Sequence, residues 1–550
     1  MKIVLCALNS KYIHSTLAVW YLHSAVKEIC DSVVVEGTIN ERVEDVEKRI
    51  LEMNPNIVGF STYIWNKTIV VELAKRIKEK TGATILLGGP EVSYNAEEIL
   101  TEYSFVDYVI SGEGEEPLAK ICSGLPVEEI EGICYKKDGG VVIKEPYISK
   151  KDPPNPYTSE YMKGLNGRIA YLETSRGCPY RCAFCLSGRM GGVRFFNLDE
   201  ARKNIVLLAN SGTQTVKFID RTFNADRKRA REIFSFIMGE YGKNIPKNVC
   251  FHFEIEGELL DNETLELLKK APIGLFQFEI GLQSFNQNTL EAIRRKTNLS
   301  LLVENIEKVI SLGNIHTHID LIIGLPNESF DSFKSSFDLA YKLKPHMLQL
   351  GFLKLLHGTA LRENANVHNS SFINTPPYEI VSNKWLKEQE TASLHMLEDV
   401  FERMYNSRRF ALTCEYLEGC YERPFDMYFS FSRFVLNHPF KSLDEFTRLM
   451  YEFYGSNPNV NRDRLRDTLA IDRLATNRMG SLPDFLKLHS PYLKKTLNFL
   501  DTMEETKRPA GIKRSATPLL TENMIAYVDY DSRDYLTNRF LVKFTKIYNK

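Results

Sequence analysis

Cys178-Pro179-Tyr180-Arg181-Cys182-Ala183-Phe184-Cys185 follows the short apolar run Ile169 to Leu172 and the tight-turn residues Arg176-Gly177. Three thiols spaced Cys-x3-Cys-x2-Cys are one thiolate short of closing a four-iron cluster, so a 4Fe-4S cluster held by Cys178, Cys182 and Cys185 keeps one iron open to a further ligand. A structural zinc site wants four closed ligands, and no fourth Cys or His stands at ligand spacing nearby. A disulfide framework wants an even set of cysteines in a short secreted chain.

A chain of 550 residues, 43% apolar and 11% aromatic, has material for three or four packed domains. Lys plus Arg number 70 against 71 Asp plus Glu, which leaves no net field to gather nucleic acid or an anionic membrane. A small-molecule or peptide substrate is therefore favoured over a polynucleotide. Met1-Lys2 runs directly into Ile-Val-Leu-Cys-Ala-Leu, which reads as a first strand rather than a signal peptide. No stretch approaches the ~20 apolar residues of a membrane span. Cys6, Cys30, Cys122, Cys134, Cys250, Cys414 and Cys420 are scattered, as free thiols are in a reducing compartment, so the expected setting is cytoplasmic.

Upstream of the cysteine loop, residues 1–122 alternate short apolar runs with amphipathic segments: Lys2 to Leu8 then a helix from Thr16, Ser32 to Gly37 then a helix from Val43, Ile57 to Thr62 then a helix from Lys67. Further strands follow at Thr84 to Gly88 and Tyr108 to Gly112. This rhythm predicts a doubly wound, Rossmann-like parallel sheet, which binds ligands at the carboxyl ends of its strands. The loops there carry Asn9-Ser10-Lys11-Tyr12-Ile13-His14, Ser61-Thr62-Tyr63-Ile64-Trp65-Asn66, Gly88-Gly89-Pro90-Glu91 and Gly112-Glu113-Gly114-Glu115. Glycines in such loops let backbone approach a flat or phosphate-bearing ligand, and Tyr63 and Trp65 offer faces to stack on. Ile133 to Tyr135 and Val141 to Lys144 read as a small hairpin, and Asp152-Pro153-Pro154-Asn155-Pro156 breaks regular structure as a linker after a first domain of residues 1–148.

Beyond the cysteines, strands are predicted at Val216 to Asp220, Val249 to Ile255, Phe276 to Gln283, His316 to Gly324 and Met347 to Leu355, each alternating with helical pattern. With Ile169 to Glu173 they predict an α/β core, a partial (β/α)6 barrel over residues 149–370 with its site at the strands' carboxyl ends. Glu254, Gln283 and Asp320 stand in otherwise apolar strands, where a carboxylate or amide is costly unless a partner satisfies it. Each is a candidate contact for a polar cofactor, against the plainer reading of a structural buried pair. Residues 371–550 read as a mostly helical domain, with helical spacing at Asn383 to Tyr405, Ser442 to Tyr454, Arg462 to Ala475 and Leu482 to Phe499, aromatics at Phe425, Tyr428, Phe429, Phe431 and Phe434 that suit a core, and short strands within Thr521 to Tyr548.

The cysteine loop resembles the signature of the radical S-adenosylmethionine (SAM) enzymes, in which the open iron chelates the amino and carboxylate groups of SAM; Phe184 stands at the aromatic place before the last cysteine. Gly281-Leu282-Gln283-Ser284-Phe285 with Arg295, and Ile319-Asp320-Leu321 before Gly324-Leu325-Pro326, are similar to the SAM-binding pattern of the oxygen-independent coproporphyrinogen oxidase type. The resemblance implies that Glu254 and Asp320 serve the ribose and adenosyl side of SAM, and that Gln283 and Arg295 hold its amino-acid part. Asp220-Arg221-Thr222-Phe223-Asn224 departs from the common pattern, which has a Gly-Gly-Glu-like turn there.

The loops of the first domain look like the cobalamin-binding domain that precedes the radical SAM core in one large class of these enzymes. This implies Asn9, Ser10, Tyr63, Trp65, Gly88, Gly89 and Gly112 as cobalamin contacts. The Asp-x-His-x-x-Gly motif of the cobalamin mutases is absent, because His14 lacks both its Asp and its Gly, so no histidine is expected on the lower face of the cobalt. The resemblance covers residues 1 to roughly 360.

What it implies is reductive cleavage of SAM at the cluster and, with cobalamin, methylation of an unactivated carbon of a small-molecule or peptide substrate, fed by an electron donor such as flavodoxin or ferredoxin. A cobalamin-dependent cyclase or rearrangement enzyme would use the same cofactors without net methyl transfer. A transfer-RNA methylthiotransferase would need three cluster cysteines in the first domain, where Cys6, Cys30 and Cys122 form no compact motif, and a basic module at the end. A non-catalytic iron-sulfur sensor would not need the residues around Gln283 and Arg295. The C-terminal domain is expected to select the substrate.

Overall fold

The computed structural model describes residues 1–477, 481–506 and 511–547. The chain divides into two compact units, the first made of Met1–Ile280, Asn288–Asn305 and Phe352–Lys384, the second of Gly281–Gln287, Ile306–Gly351 and the chain from Trp385 onward.

In the first unit, β1 (Lys2–Asn9), β2 (Asp31–Thr38), β3 (Ile57–Ser61), β4 (Thr84–Gly88), β5 (Tyr108–Ile110), β6 (Ile133–Lys137) and β7 (Gly140–Val142) form one sheet in the order β2-β1-β3-β4-β5-β6-β7. Pairing is parallel as far as β5 and antiparallel beyond it. Strands β1 and β3 are covered on both faces and accordingly read as nearly unbroken apolar runs. Helices Ala18–Val26, Val43–Glu52, Lys67–Thr81, Ala96–Glu102 and Glu115–Cys122 alternate with them, and Ile50, Leu73, Ile77 and Ile99 close the core over Val4, Val58, Ile85 and Leu87. The helix predicted from Thr16 begins at Ala18. The predicted hairpin is present as the antiparallel pair β6–β7, Tyr135 opposite Val142, and β6 also pairs with β5, Tyr135 opposite Tyr108, so that it extends the sheet to seven strands.

After the linker come β8 (Ala170–Leu172), then β9 (Ser175–Gly177) and β10 (Val193–Phe195), an antiparallel pair that flanks the cysteine loop. Next are β11 (Thr215–Phe218), β12 (Cys250–Ile255) and β13 (Phe276–Gln283), parallel neighbours in the order β8-β11-β12-β13. The two-residue alternation of these strands sorts their side chains. Phe218, Phe253, Phe276 and Phe278 share one face with Phe234 of the helix Arg227–Glu240, where Phe218 and Phe253 stack at 4.4 Å between ring centroids. The opposite face presents Tyr171, Lys217, His252, Glu254 and Glu279, with Lys217 in register with Tyr171 and His252, and Glu254 in register with Glu279.

The second unit contains the end of β13, β14 (His316–Ile323) and all but the last residue of β15 (Met347–Phe352), so all six strands predicted for the partial barrel are present. The rest is mostly helical: Glu388–Phe401, Ala411–Glu418, Pro424–Leu436, Leu443–Gly455 and Arg462–Thr476. Phe425, Tyr428 and Phe431 are core residues of this unit, as their number and spacing suggested. The single helix predicted over Leu482 to Phe499 is broken instead: a short turn at Asp484–Leu486 precedes a helix Pro491–Thr502. Pro491 lacks an N–H and fits only the first turn, and Ser490 caps it by accepting from the Tyr492 N–H. Strands Ser515–Pro518, Met524–Val528 and Lys543–Lys546 form a small antiparallel sheet, and Tyr548 lies outside the described residues. Among the described residues no helix is long and apolar enough to cross a membrane.

Candidate active site

The turn into the cysteine loop requires positive φ at Gly177 (+94°), which glycine alone adopts without strain. The loop is then sewn down by backbone bonds: Ala183 N–H donates to Ile293 O at 2.8 Å, and Leu361 N–H donates to Ala183 O at 3.0 Å. Each sulfur has a polar group beside it. Thr222 Oγ1 is 3.2 Å from Cys178 Sγ, Ser187 N–H donates to Cys185 Sγ at 3.4 Å, and Arg295 Nη1 stands 4.0 Å from Cys182 Sγ. Burial pushes the Cys178 and Cys182 thiols up, and Arg295 opposes this at Cys182. Three soft donors on one short loop, each with an outer partner, are the donor chemistry that an iron-sulfur cluster takes, although among the described residues no three such side chains are already gathered at metal-ligand spacing.

The loop after β11 supports this one. Asp220, 1% exposed, accepts hydrogen bonds from Thr174 N–H (2.8 Å), Thr174 Oγ1 (2.7 Å) and Ser175 Oγ (2.6 Å). Burial raises its pKa from 3.8 to about 6 against the pull of those bonds. Where the common pattern has a Gly-Gly-Glu-like turn, Asp220 thus braces the strand end that delivers the cysteines, and Thr222 touches Cys178. Motif comparison alone assigns this loop no role.

Arg176 joins the cysteine turn to the first sheet. Its guanidinium meets Glu113 at 2.6 Å, Glu115 at 2.7 Å and Glu173 at 2.9 Å, while Arg194 reaches Glu113 at 2.7 Å. Glu113 and Glu115, whose glycine-flanked loop suggested ligand approach, are therefore tied to protein cations.

Two cavities meet here. One of about 340 Å³ is lined by Gly59, Ser61, Gly88, Gly89, Gly112 and Gly114 at the carboxyl ends of β3, β4 and β5, with Arg176 and Arg221 at its border. Ser61 Oγ is buried there without a hydrogen-bond partner among the described residues, so a narrow apolar slot with one unmet hydroxyl fits the tail of a corrinoid. The other, about 520 Å³, is lined by Asn9, Ser10, His14, Tyr63 and Trp65 from the first sheet, and by Tyr171, Lys217, Arg221 and Glu254 from the barrel strands. The residues expected to contact cobalamin thus divide between two adjoining cavities. His14 lies in the larger one, its Nδ1 2.8 Å from Tyr171 Oη, and burial lowers its pKa, with Lys11, Lys217 and Arg168 adding to the effect.

Two expectations about these loops change. Glycine at 89 and 112 is required by the protein's own backbone: both have positive φ (+110° and +88°), a Cβ on Gly89 would stand 2.5 Å from Thr62 O, and one on Gly112 would collide with Tyr147 O. Tyr63 and Trp65 stack first on each other, at 4.5 Å and 4°, with Trp65 Nε1 donating to Leu8 O at 3.0 Å.

Of the residues expected at SAM, Glu254 faces Lys217 and Arg221, each at 3.7 Å. Lys217 also reaches Glu279 at 3.2 Å, and His252 Nε2 lies 2.9 Å from the same carboxylate. Burial works against the Lys217 charge, but Glu279 and Glu254 outweigh it and hold its pKa above the ordinary value. Arg295, 8% exposed, pairs with Glu256 at 2.6 Å, a carboxylate that the sequence pattern did not single out although it follows Glu254 by two positions. Phe184 is half-buried beside the last cysteine. In the second unit, Gln283 holds a positive φ of +72°, rare outside glycine, and its Oε1 is buried without a partner among the described residues. Asp320 lies 2.9 Å from His318 Nε2.

A doubly wound sheet with a glycine-lined cavity, leading into barrel strands that carry a three-cysteine loop, defines a radical SAM core preceded by a corrinoid domain. Family models agree: residues 3–121 match the B12 binding domain, residues 172–340 the Radical SAM superfamily, and residues 366–541 a family described as Protein of unknown function (DUF4080). The chain is a cobalamin-binding-domain-containing radical SAM protein. It is 25% identical over 379 residues to an uncharacterized methyltransferase of Pyrococcus horikoshii, covering 64% of this chain and 79% of that one. It is 25% identical over 410 residues to the cobalamin-dependent radical SAM methyltransferase TokK of Streptomyces tokunonensis, covering 69% of this chain and 59% of that one. Among solved structures, the cobalamin-dependent SAM radical enzyme OxsB with aqua-cobalamin and SAM superposes with a TM-score of 0.59 at 16% identity, over 92% of this chain and 82% of that one, a likeness of fold.

Proposed function

We propose that this chain is a cobalamin-dependent radical SAM methyltransferase acting on an unactivated carbon of a small-molecule or peptide substrate. When bound, the cluster and SAM supply reductive carbon–sulfur cleavage, and cobalamin supplies a methyl carrier. The observation that carries the reading is the meeting of two cavities at the cysteine loop, one glycine-lined and one bordered by barrel strands, with Arg176 and Arg221 on both.

The chain's own groups do the positioning. Cys178, Cys182 and Cys185 hold the cluster, with Thr222 and Arg295 beside the sulfurs. Glu254 and Arg295 serve SAM, and Gln283 and Asp320 are carried over to it from the family pattern; Phe184 backs the last cysteine. Gly88, Gly89 and Gly112 border the corrinoid tail, and Asn9, Ser10, Tyr63 and Trp65 border the ring. The proposal includes a flavodoxin- or ferredoxin-type electron donor and a cytoplasmic setting, in keeping with ten free cysteines. The test is anaerobic reconstitution with SAM labelled in its methyl group, followed by product analysis. Label in a carbon-bound methyl of a product supports the reading; SAM cleavage without transferred label favours cyclisation or rearrangement.

A further inference from the structure

We infer that Arg221 anchors an anionic group of the substrate, a carboxylate or a phosphate; the inference rests on the function proposed above for the identity of the site. Arg221 sits between two fixed neighbours, Asp220 with its three hydrogen bonds and Thr222 against Cys178. Its guanidinium therefore starts from a rigid point on the cluster side of the barrel, and it borders both cavities.

What distinguishes it is the absence of a close partner. Arg176 meets three carboxylates within 2.9 Å, Arg194 meets Glu113 at 2.7 Å, and Arg295 meets Glu256 at 2.6 Å. The Arg221 side chain makes no hydrogen bond to the described residues, and its nearest carboxylate, Glu254, is 3.7 Å away, too far for a direct bond. Glu254 is in addition shared with Lys217. More than half of the Arg221 side chain is open, at 56% exposure.

A guanidinium stays charged throughout the accessible pH range and presents paired donors that match a carboxylate or phosphate. An arginine kept at a cavity junction without a fork partner is thus pre-arranged for an incoming anion, whereas one retained for stability would be paired as Arg176 and Arg194 are. The place also separates this role from that of the strand pair beneath it: Lys217 is held by Glu279 at 3.2 Å as well as by Glu254, so Arg221, whose one ion-pair partner is Glu254 at 3.7 Å, is the less engaged cation that a ligand in the 520 Å³ cavity meets. Substrates of this enzyme are therefore acids.

The test uses holoprotein reconstituted with cluster and cobalamin, as wild type, Arg221→Gln and Arg221→Lys. Inorganic phosphate and acetate serve as probes, their line broadening in 31P and 1H magnetic resonance reporting binding in the presence of SAM. Saturable binding by the wild type, weakened about tenfold or more in Arg221→Gln and less in Arg221→Lys, is the expected result, since one charge-assisted fork is lost. Affinities for SAM and for cobalamin should be unchanged in both variants. Equal probe binding in wild type and Arg221→Gln overturns the inference, as does a tenfold loss of SAM or cobalamin affinity, which would give the guanidinium to the SAM carboxylate or to the corrinoid phosphate. A second arm supplies methyl-labelled SAM with a small-molecule cell extract fractionated on an anion exchanger. Label in a carbon-bound methyl, which sets aside the labelled methionine released by SAM cleavage, confined to retained fractions supports the inference; such label in a product that flows through overturns it while leaving methyl transfer standing. Probe binding at Arg221 with no carbon-bound methyl label in any fraction keeps the anion site and removes the methyl-transfer reading.

Discussion

Arg176 Nη1 lies 2.6 Å from Glu113 Oε2, both side chains largely buried, and so the turn that launches the cysteine loop is clamped to the glycine loop after β5. Removing the guanidinium also leaves Glu115 and Glu173 without their cation. Breaking a buried pair from one side costs more than the pair contributes, because the abandoned charges stay desolvated; Arg176→Met should lose roughly 3–5 kcal/mol of unfolding free energy. Urea denaturation followed by circular dichroism measures this, and a loss under about 1 kcal/mol would contradict the clamp.

Asp220 should leave a signature in the pH dependence of stability. Its folded pKa of about 6 stands above the ordinary 3.8, so between those values the folded state binds more protons than the unfolded one. Stability therefore falls as pH rises through this window and levels off above it. Asp220→Asn does not titrate, and its stability relative to wild type should improve by up to about 3 kcal/mol from pH 3.5 to pH 7. A difference between the two proteins that stays flat across that range would show that the carboxyl is not perturbed.

Gly88 and Gly89 should respond differently. A Cβ on Gly89 meets Thr62 O at 2.5 Å on a backbone with φ of +110°, so Gly89→Ala should destabilise the fold itself, by roughly 1–3 kcal/mol. A Cβ on Gly88 meets only Ile110, its Cβ at 3.7 Å and its backbone O at 3.9 Å, ordinary contacts, while lining the 340 Å³ cavity. Gly88→Val should fold and lose corrinoid, read from the visible spectrum after reconstitution. Full corrinoid occupancy in Gly88→Val would move the cofactor out of that cavity.

Arg295→Lys keeps the charge but loses the fork that Glu256 engages. SAM affinity should fall by roughly 1.5–3 kcal/mol, the range of a charge-assisted hydrogen bond. An anaerobic titration with unchanged affinity would confine Arg295 to its pairing with Glu256.

The strands and the cysteine loop were legible in the sequence because period and spacing are local: Val43 and Lys67 start helices where the pattern placed them, and β4 spans the predicted Thr84 to Gly88. The pairings that hold the site together were not. Arg176 and Glu113 are 63 residues apart, Arg295 and Glu256 are 39 apart, and no periodicity relates them. Gly89 and Gly112 looked like ligand-facing glycines because a sequence shows that a Cβ is missing but not which neighbour forbids it. Asp220 and Arg221 were visible as a departure from a pattern; their opposite fates, one side chain bonded three times and the other held only by a long ion pair to Glu254, follow only from where Thr174, Ser175 and Glu254 lie.

A cluster held by Cys178, Cys182 and Cys185 should cleave SAM once reduced. The most direct measurement is 5'-deoxyadenosine formation by anaerobically reconstituted, reduced protein, comparing wild type with Cys182→Ala and Cys414→Ala. The wild type and Cys414→Ala should form it, since Cys414 is buried with its thiol pushed up to about 12 in the second unit. Cys182→Ala should form none and lack the broad iron-sulfur absorption; sustained 5'-deoxyadenosine formation by Cys182→Ala would contradict the account.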